Sequence, residues 1–139
     1  MASGFRSSLL AVLAAASMTA AAAPASAADT CMQLDGGSFS GDIGFFRFRD
    51  VQLPTEPNKI VPLTGRAAGL SPAWGSAVTS KSGGYVELGV MFFIDGVQGQ
   101  FNVAFSPATS RTGSGRGSYG AYGVSDNVTV RLVGCSNEP

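Results

Sequence analysis

Residues 85–106 carry the clearest strand pattern of the chain and read YVELGVMFFIDGVQGQFNVAFS. Apolar side chains recur there at every second residue, the period of a β-strand with one buried face. The face predicted to be buried in the first strand carries Val86, Leu88, Val90, Phe92 and Ile94. Asp95-Gly96 then favours a tight hairpin turn, because both residues tolerate positive φ. The alternation resumes over residues 100–106, so we predict that the two strands pair.

Shorter alternating segments lie on both sides of this hairpin and are separated by turn residues. They span residues 38–43, 45–53, 59–68, 73–79, 118–124 and 127–134. No segment after residue 27 keeps apolar residues at helical spacing. About eight short strands with turn residues between them predict a single all-β domain over residues 28–139, either an antiparallel β-barrel or a β-sandwich.

The glycine content favours the barrel. Nineteen of the 139 residues are glycine, which is about twice the average share of roughly 7%. Several of them interrupt the strand patterns: Gly41, Gly65, Gly75, Gly89 and Gly120. Glycine inside a strand commonly marks a bulge or a sharp bend where a sheet coils on itself. We therefore prefer a small closed barrel and keep the sandwich as the alternative.

Residues 1–27 have the three parts of a secretory signal peptide. Arg6 is followed by an apolar run over residues 9–23 and by the small-residue site Pro24-Ala25-Ser26-Ala27. A membrane anchor would need about 20 strongly apolar residues, whereas this run is shorter and mostly alanine. We expect cleavage after Ala27 and a secreted or periplasmic product.

The two cysteines of the chain stand near the two ends of the predicted domain, at Cys31 and Cys135. In an exported protein such a pair indicates a disulfide, because the compartment is oxidising. The bond requires the two Cα atoms to lie within about 7 Å of each other. It therefore predicts that the first and last segments are neighbours, whereas the alternative, two buried free thiols, sets no such condition.

Composition excludes several classes of function. The chain has nine basic and nine acidic residues, a formal net charge of zero and no histidine. Without histidine there is no Ser-His-Asp system and no imidazole zinc site, and we predict neither a metal nor a cofactor. Nucleic-acid binding is not expected, since it needs clustered Lys and Arg. Integral insertion as an outer-membrane barrel is not expected either, because polar residues interrupt every possible apolar outer band: Arg47, Arg49, Asn102 and Arg131.

Three short motifs have simple structural explanations. Residues 115–120 match G-x-G-x-x-G, but a strand-like run follows where a dinucleotide site needs a helix. Residues 45–50, FFRFRD, interleave aromatic and basic side chains, and a half-buried strand explains them better than a base-stacking platform. Asn127-Val128-Thr129 is a formal glycosylation sequon, which matters only in a host that glycosylates exported chains.

Five residues are candidates for a ligand site. Glu87 lies in a strongly apolar strand and is the best single candidate for a functional polar group; on the outer face it would simply be solvated. Trp74, Tyr85, Tyr119 and Tyr122 combine apolar area with a hydrogen-bonding group and could line a cavity. Their alternative role is filling the core or the rim of the barrel. No catalytic residue is assigned.

Four segments resemble the dirigent and allene oxide cyclase barrels in their order along the chain. They are GRAAG at 65–69, FIDGVQG at 93–99, TGSG at 112–115 and YGAYG at 119–123. The resemblance implies an eight-stranded barrel with an apolar cavity that holds a small organic ligand in one orientation. Arg116 stands where that family has an apolar residue, and no catalytic residue carries over.

Three functions remain open from the sequence. The first is an exported, disulfide-stapled domain that binds a protein partner or a small apolar ligand without chemistry. The second is a dirigent-like or cyclase-like barrel that orients or converts a small ligand. The third is a surface or assembly component, with an exposed face such as Met91 and Phe93 against another chain. A cavity above about 300 Å³ lined by Trp74, Tyr85 and Glu87 would favour ligand binding, whereas a filled interior with an apolar outer patch would favour assembly.

Overall fold

The computed structural model describes residues 28–107, 109–120 and 125–139, so the expected signal peptide lies outside the described residues. The described chain forms a closed antiparallel barrel in which each strand pairs with the next and the last pairs with the first. The strands are β1 (Thr30–Asp35), β2 (Phe45–Phe48), β3 (Ile60–Ala67), β4 (Ser71–Thr79), β5 (Val86–Ile94), β6 (Val97–Phe105), β7 (Thr112–Tyr119) and β8 (Asp126–Val133). A four-residue helix, α1 (Gly41–Gly44), precedes β2, and a 3-10 turn (Cys135–Asn137) follows β8. The barrel is confirmed, and the sandwich alternative is wrong.

The central hairpin forms as the sequence predicts. β5 and β6 pair along their whole length, from Val86 opposite Phe105 to Ile94 opposite Val97. Asp95 and Gly96 join them with φ values of 52° and 77°, the left-handed conformation that a two-residue hairpin turn requires. The alternating residues of β5 fall into a buried inner face and a more exposed outer face.

Aromatic side chains fill the space between opposite walls of the barrel. Phe46 of β2 lies with its ring centroid 5.1 Å from that of Phe92 on β5 and 4.9 Å from that of Phe101 on β6. The rings meet edge to face, a favourable arrangement for aromatic pairs. The interior around them belongs to one continuous cluster of buried side chains, so the described interior is a packed core.

Two loops close the ends of this core. Gly36 and Phe39 exchange backbone hydrogen bonds of 3.1 and 2.9 Å, and this turn places the Phe39 ring against Phe92 and Phe101. Beyond the other end of β2, Val51 and Leu53 are buried in the same core cluster. Residues 38–43, which we expected to be a strand, thus form this turn and most of α1 because the chain must fold back over the core.

β7 differs most from the sequence prediction, which placed a strand at 118–124. The inward-facing residues of β7 that precede Tyr119 are all glycines: Gly113, Gly115 and Gly117. Polar residues alternate with them. A Cβ at Gly115 would collide with the carbonyl oxygen of Asn102 on β6. The glycines therefore let β7 lie close to β6 and leave interior space to phenylalanines. β1 is also absent from the prediction, and residues 121–124 lie outside the described part of the chain.

The first and last described segments meet on the outer side of β1. Cys31 and Cys135 form a disulfide with their Cα atoms 5.2 Å apart, which confirms the sequence prediction. Cys31 alternates with the fully buried Met32, so its side chain lies on the outer face, where the turn after β8 covers it. Within residues 28–107, 109–120 and 125–139, the helices are too short and too polar to cross a membrane.

Candidate functional site

Three of the five candidate site residues lie on the outer wall of the barrel. Trp74 alternates with the buried Ala73 on β4, and Glu87 alternates with the buried Val86 and Leu88 on β5. Trp74 is 40% exposed and Tyr85 is 48% exposed. These side chains therefore point away from the core, and the structure does not bring them together around an interior cavity.

Glu87 has an ordinary environment for a strand carboxylate. Its neighbours across the two adjacent strands are Val78 on β4 and Ala104 on β6. Both are apolar, and Glu87 itself is exposed. Neither neighbour supplies an Arg partner or a second carboxylate for Glu87. The outer-face alternative, a solvated side chain, therefore describes its place in the fold.

Of the two remaining tyrosines, Tyr119 lies at the end of the barrel core. The half-buried Tyr119 ring lies 5.7 Å from the Phe92 ring, centroid to centroid. Its hydroxyl donates a hydrogen bond of 3.1 Å to the carbonyl oxygen of Ile94. Tyr119 thus has the rim-packing role that we kept as its alternative. Tyr122 lies outside the described residues.

The outer wall carries a compact apolar cluster, which we call the β4–β5 patch and define as Trp74, Met91 and Phe93. Trp74 lies directly opposite Met91 in the β4–β5 register. The Trp74 and Phe93 rings are nearly parallel, at 24°, with centroids 5.8 Å apart. The three side chains remain 40%, 38% and 37% exposed. The adjacent, partly exposed apolar side chains make this patch a candidate interaction surface, and it includes the Met91 and Phe93 face named from the sequence.

Neutral polar side chains flank the β4–β5 patch along the row of Trp74 and Met91, whereas Arg66 lies opposite Pro72 on the next row. On the row that contains Trp74 and Met91, the register places Thr64 on one side and Gln100 with Ser118 on the other. Gln98 lies opposite Phe93. The row of Trp74 and Met91 therefore combines apolar area with hydroxyl and amide groups and carries no charged side chain from β3 to β7.

The adjacent row of outward-facing residues, beside the row of Trp74 and Met91, has only small residues on β4 and β5. Ser76 lies opposite Gly89, and Gly89 lies opposite Asn102. A Cβ at Gly89 would meet only the Asn102 Oδ1 atom, at 3.1 Å. Because the row has no large side chain on β4 or β5, it should stand lower than the row of Trp74 and Met91, and we call it the furrow; Arg116 lies opposite Asn102 at its β7 end.

Three depressions in the described surface lie away from this patch. One of about 610 Å³ lies beside Asp35, Arg116 and Asn127, and is wide open to solvent. A second of about 350 Å³ adjoins the disulfide at Cys31, and a third of about 270 Å³ adjoins Pro139. None of these three is lined by Trp74, Tyr85 or Glu87. The combination that we set as the mark of an interior ligand site is thus not found in them.

A charged network, which we call the terminal clasp, connects the first and last described segments to β2 and β3. It consists of Asp29, Arg47, Arg66 and Glu138. Arg47 on β2 contacts Asp29 at 2.7 Å and Glu138 at 3.0 Å. Glu138 also accepts hydrogen bonds from Arg66 on β3 at 2.7 and 2.8 Å. One guanidinium therefore links the first described residues to the last.

These contacts favour the charged forms of the terminal clasp. The backbone N–H of Asp50 and then the Arg47 side chain donate to Asp29 and lower the pKa of its carboxyl. Arg66, and after it Arg47, lower the pKa of Glu138, against a smaller opposing effect of burial. The hydrogen bonds to Asp29 and Glu138 raise the pKa of Arg47. Sequence reasoning missed this network because its members lie far apart along the chain.

Comparison with family models, with curated proteins and with solved structures finds no match for this chain. The resemblance to dirigent and allene oxide cyclase barrels stays a prediction from four short motifs. Among the described residues, no three acidic or cysteine side chains are grouped closely enough to hold a metal ion.

Proposed function

We propose that the protein is an exported binding module that works without chemistry and recognises its partner through the outer wall of the barrel. The observation that carries the proposal is the β4–β5 patch. Phenylalanine rings fill the space between β2, β5 and β6, so this part of the interior serves as hydrophobic core. The outer wall, by contrast, keeps Trp74, Met91 and Phe93 in contact with water.

A partner that binds the β4–β5 patch would gain free energy by burying apolar area that is now in contact with water. Full burial of a large apolar side chain is worth about 1.5–3 kcal/mol relative to full exposure. The three side chains of the β4–β5 patch are 37–40% exposed, so a partner that covers them recovers part of that amount at each. Adjacent aromatic anchors of this kind often dominate the free energy of association.

The disulfide supports the cellular location in the proposal. Cys31 and Cys135 are bonded, and such bonds persist in secreted and periplasmic proteins but are rare in a reducing cytosol. The leader over residues 1–27 is the sequence feature that would deliver the chain to that compartment.

Hydroxyl-radical footprinting tests the proposal while the partner is still unidentified. The protein is labelled once in the exported fraction of its own host and once after purification. We expect Met91 and Trp74 to be oxidised in the purified protein and protected in the exported fraction. Met32, which is fully buried, should be protected in both samples and reports that the fold is intact.

Tyr85 provides the matched exposed control, since it is 48% exposed and lies outside the patch. It should react equally in both samples. Equal oxidation of Met91 and Trp74 in the two samples would contradict the proposal. Protection that appears in purified protein as its concentration rises would identify a second copy as the partner and support the assembly role.

A further inference from the structure

We infer that the β4–β5 patch binds a neutral saccharide chain, an inference that rests on the proposed function because it takes this patch as the binding surface. The ligand class follows from three properties of the described residues: the aromatic rings, the neutral polar groups around them and the limited apolar area.

The first property is the ring pair. The faces of pyranose rings present C–H groups with slight positive charge, and these pack favourably on the negative faces of aromatic rings. Trp74 and Phe93 are nearly parallel and remain 40% and 37% exposed. Their mutual contact restrains both side chains before binding, so little conformational entropy remains to be lost.

The second property is the chemistry of the surrounding groups. Thr64, Gln98 and Gln100 are exposed and lie next to the patch in the strand register. Hydroxyl and carboxamide groups both donate and accept hydrogen bonds, as sugar hydroxyls do. An anionic polymer would instead require free Lys or Arg beside the rings, and the row of Trp74 and Met91 offers none from β3 to β7. On the neighbouring rows, Arg66 is paired with Glu138, and Arg116 is hydrogen-bonded to Ser125 and Asn127.

The third property is size. A large aromatic side chain has about 150–250 Å² to bury, so three side chains at 37–40% exposure offer roughly 200–300 Å² in all. A stable protein interface buries about 800 Å² on each partner. The three side chains thus supply only about a third of the area of such an interface, and their extent matches a ligand of ring size.

The furrow beside the rings extends the site. Gly89 and Ser76 leave the adjacent row low, and Asn102 stands at its β6 side. A chain of sugar units placed on Trp74 and Phe93 would continue over Gly89 with the Asn102 amide within reach. The geometry therefore favours an oligosaccharide over a single sugar.

The chain has one tryptophan, so its fluorescence reports directly on this site. The purified mature protein would be titrated with hexasaccharides of β-1,4-linked glucose, β-1,4-linked N-acetylglucosamine and α-1,4-linked glucose, with polygalacturonate as the charged comparison. We expect a saturable change in Trp74 fluorescence with at least one neutral hexasaccharide. That change should be insensitive to salt, because no ion pair forms.

Variants of the protein then distinguish saccharide binding at the β4–β5 patch from a general effect of the added saccharide on Trp74 fluorescence. Phe93→Ala should weaken binding by roughly tenfold or more, whereas Phe93→Tyr should retain it. The matched control is Ile60→Ser with Val78→Ser, which removes two exposed apolar side chains that lie opposite each other on β3 and β4; it should leave the affinity unchanged. Protection of Met32 from radicals shows that each variant is folded.

The outcomes distinguish this inference from the proposed function. No response to any neutral hexasaccharide, or equal affinity in Phe93→Ala, overturns the saccharide inference. If Met91 is nevertheless protected in the exported fraction, the proposed function stands and the partner belongs to another class, such as a protein. A response to polygalacturonate alone that disappears at high salt also overturns the inference.

Discussion

Two glycines on neighbouring strands show how differently one residue type can act in this barrel. Gly75 on β4 has no room for a side chain, because a Cβ there would collide with the carbonyl oxygen of Gly89. Gly89 itself faces outward, where a Cβ would meet only the Asn102 side chain at 3.1 Å. Glycine at position 75 thus permits the close approach of two strands, whereas position 89 only lowers the outer surface.

This contrast predicts opposite results for one substitution. Gly75→Ala should destabilise the protein by about 1–3 kcal/mol, the usual cost of overpacking. Gly89→Ala should be neutral or stabilise it by up to about 1 kcal/mol, since alanine loses less backbone entropy in a strand than glycine. Chemical denaturation of the two variants beside the wild type measures both changes. Equal stabilities for the two variants would contradict the steric argument.

Among single residues, the central hairpin turn was easier to predict from the sequence than the contacts of the exposed aromatic side chains. Asp95-Gly96 forms the hairpin turn that the dipeptide indicated, because turn chemistry is local. Trp74 and Tyr85 were predicted from the sequence as residues that could line a cavity, but the ring contact between Trp74 and Phe93 depends on the β4–β5 register. That register is fixed by packing across the whole sheet and cannot be obtained from either strand alone.

At the scale of elements, strands with apolar inner faces were predictable and the others were not. β5 alternates over its full length, whereas β1 brings only Met32 and Leu34 fully into the core. β7 has a glycine inner face, so it lacks the apolar signal altogether. Its signal was the regular spacing of glycine at 113, 115 and 117 with polar residues between them, which also has the period of a strand.

The terminal clasp predicts how stability responds to acid. The pKa values of Asp29 and Glu138 are lowered in the folded protein, so these carboxylates stabilise the fold above their unfolded pKa values of about 3.9 and 4.3. That stabilisation is lost as pH falls through the lowered folded values. Melting temperatures at pH 6 and at pH 3 should therefore differ less in Glu138→Gln than in the wild type.

Asp35→Asn is the control for this experiment, because Asp35 lies in an exposed pair, 3.9 Å from Arg131. Exposed pairs of this kind contribute little to stability, so this variant should follow the pH dependence of the wild type. If Glu138→Gln also follows it, Glu138 does not contribute through its charge.

For the whole molecule, the disulfide is the largest single constraint on the unfolded chain. It joins residues 104 positions apart, and closing a loop of about 100 residues stabilises a fold by roughly 4–5 kcal/mol in the chain-entropy model. Reductant should therefore lower the melting temperature markedly, and Cys135→Ser should melt like the reduced protein. Equal melting with and without reductant would show that the bond does not stabilise this barrel.

The disulfide also closes residues 31–135 into a covalent ring, which contains all eight described strands apart from Thr30, the first residue of β1. A single protease nick in the exposed stretch at residues 55–60 would then leave one molecule on a non-reducing gel and two fragments on a reducing one. If the chain were opened at a surface turn to give new termini, the Cys31–Cys135 disulfide would still join the two original ends. A protein built in this way can be cleaved once by a protease and still remain in one piece.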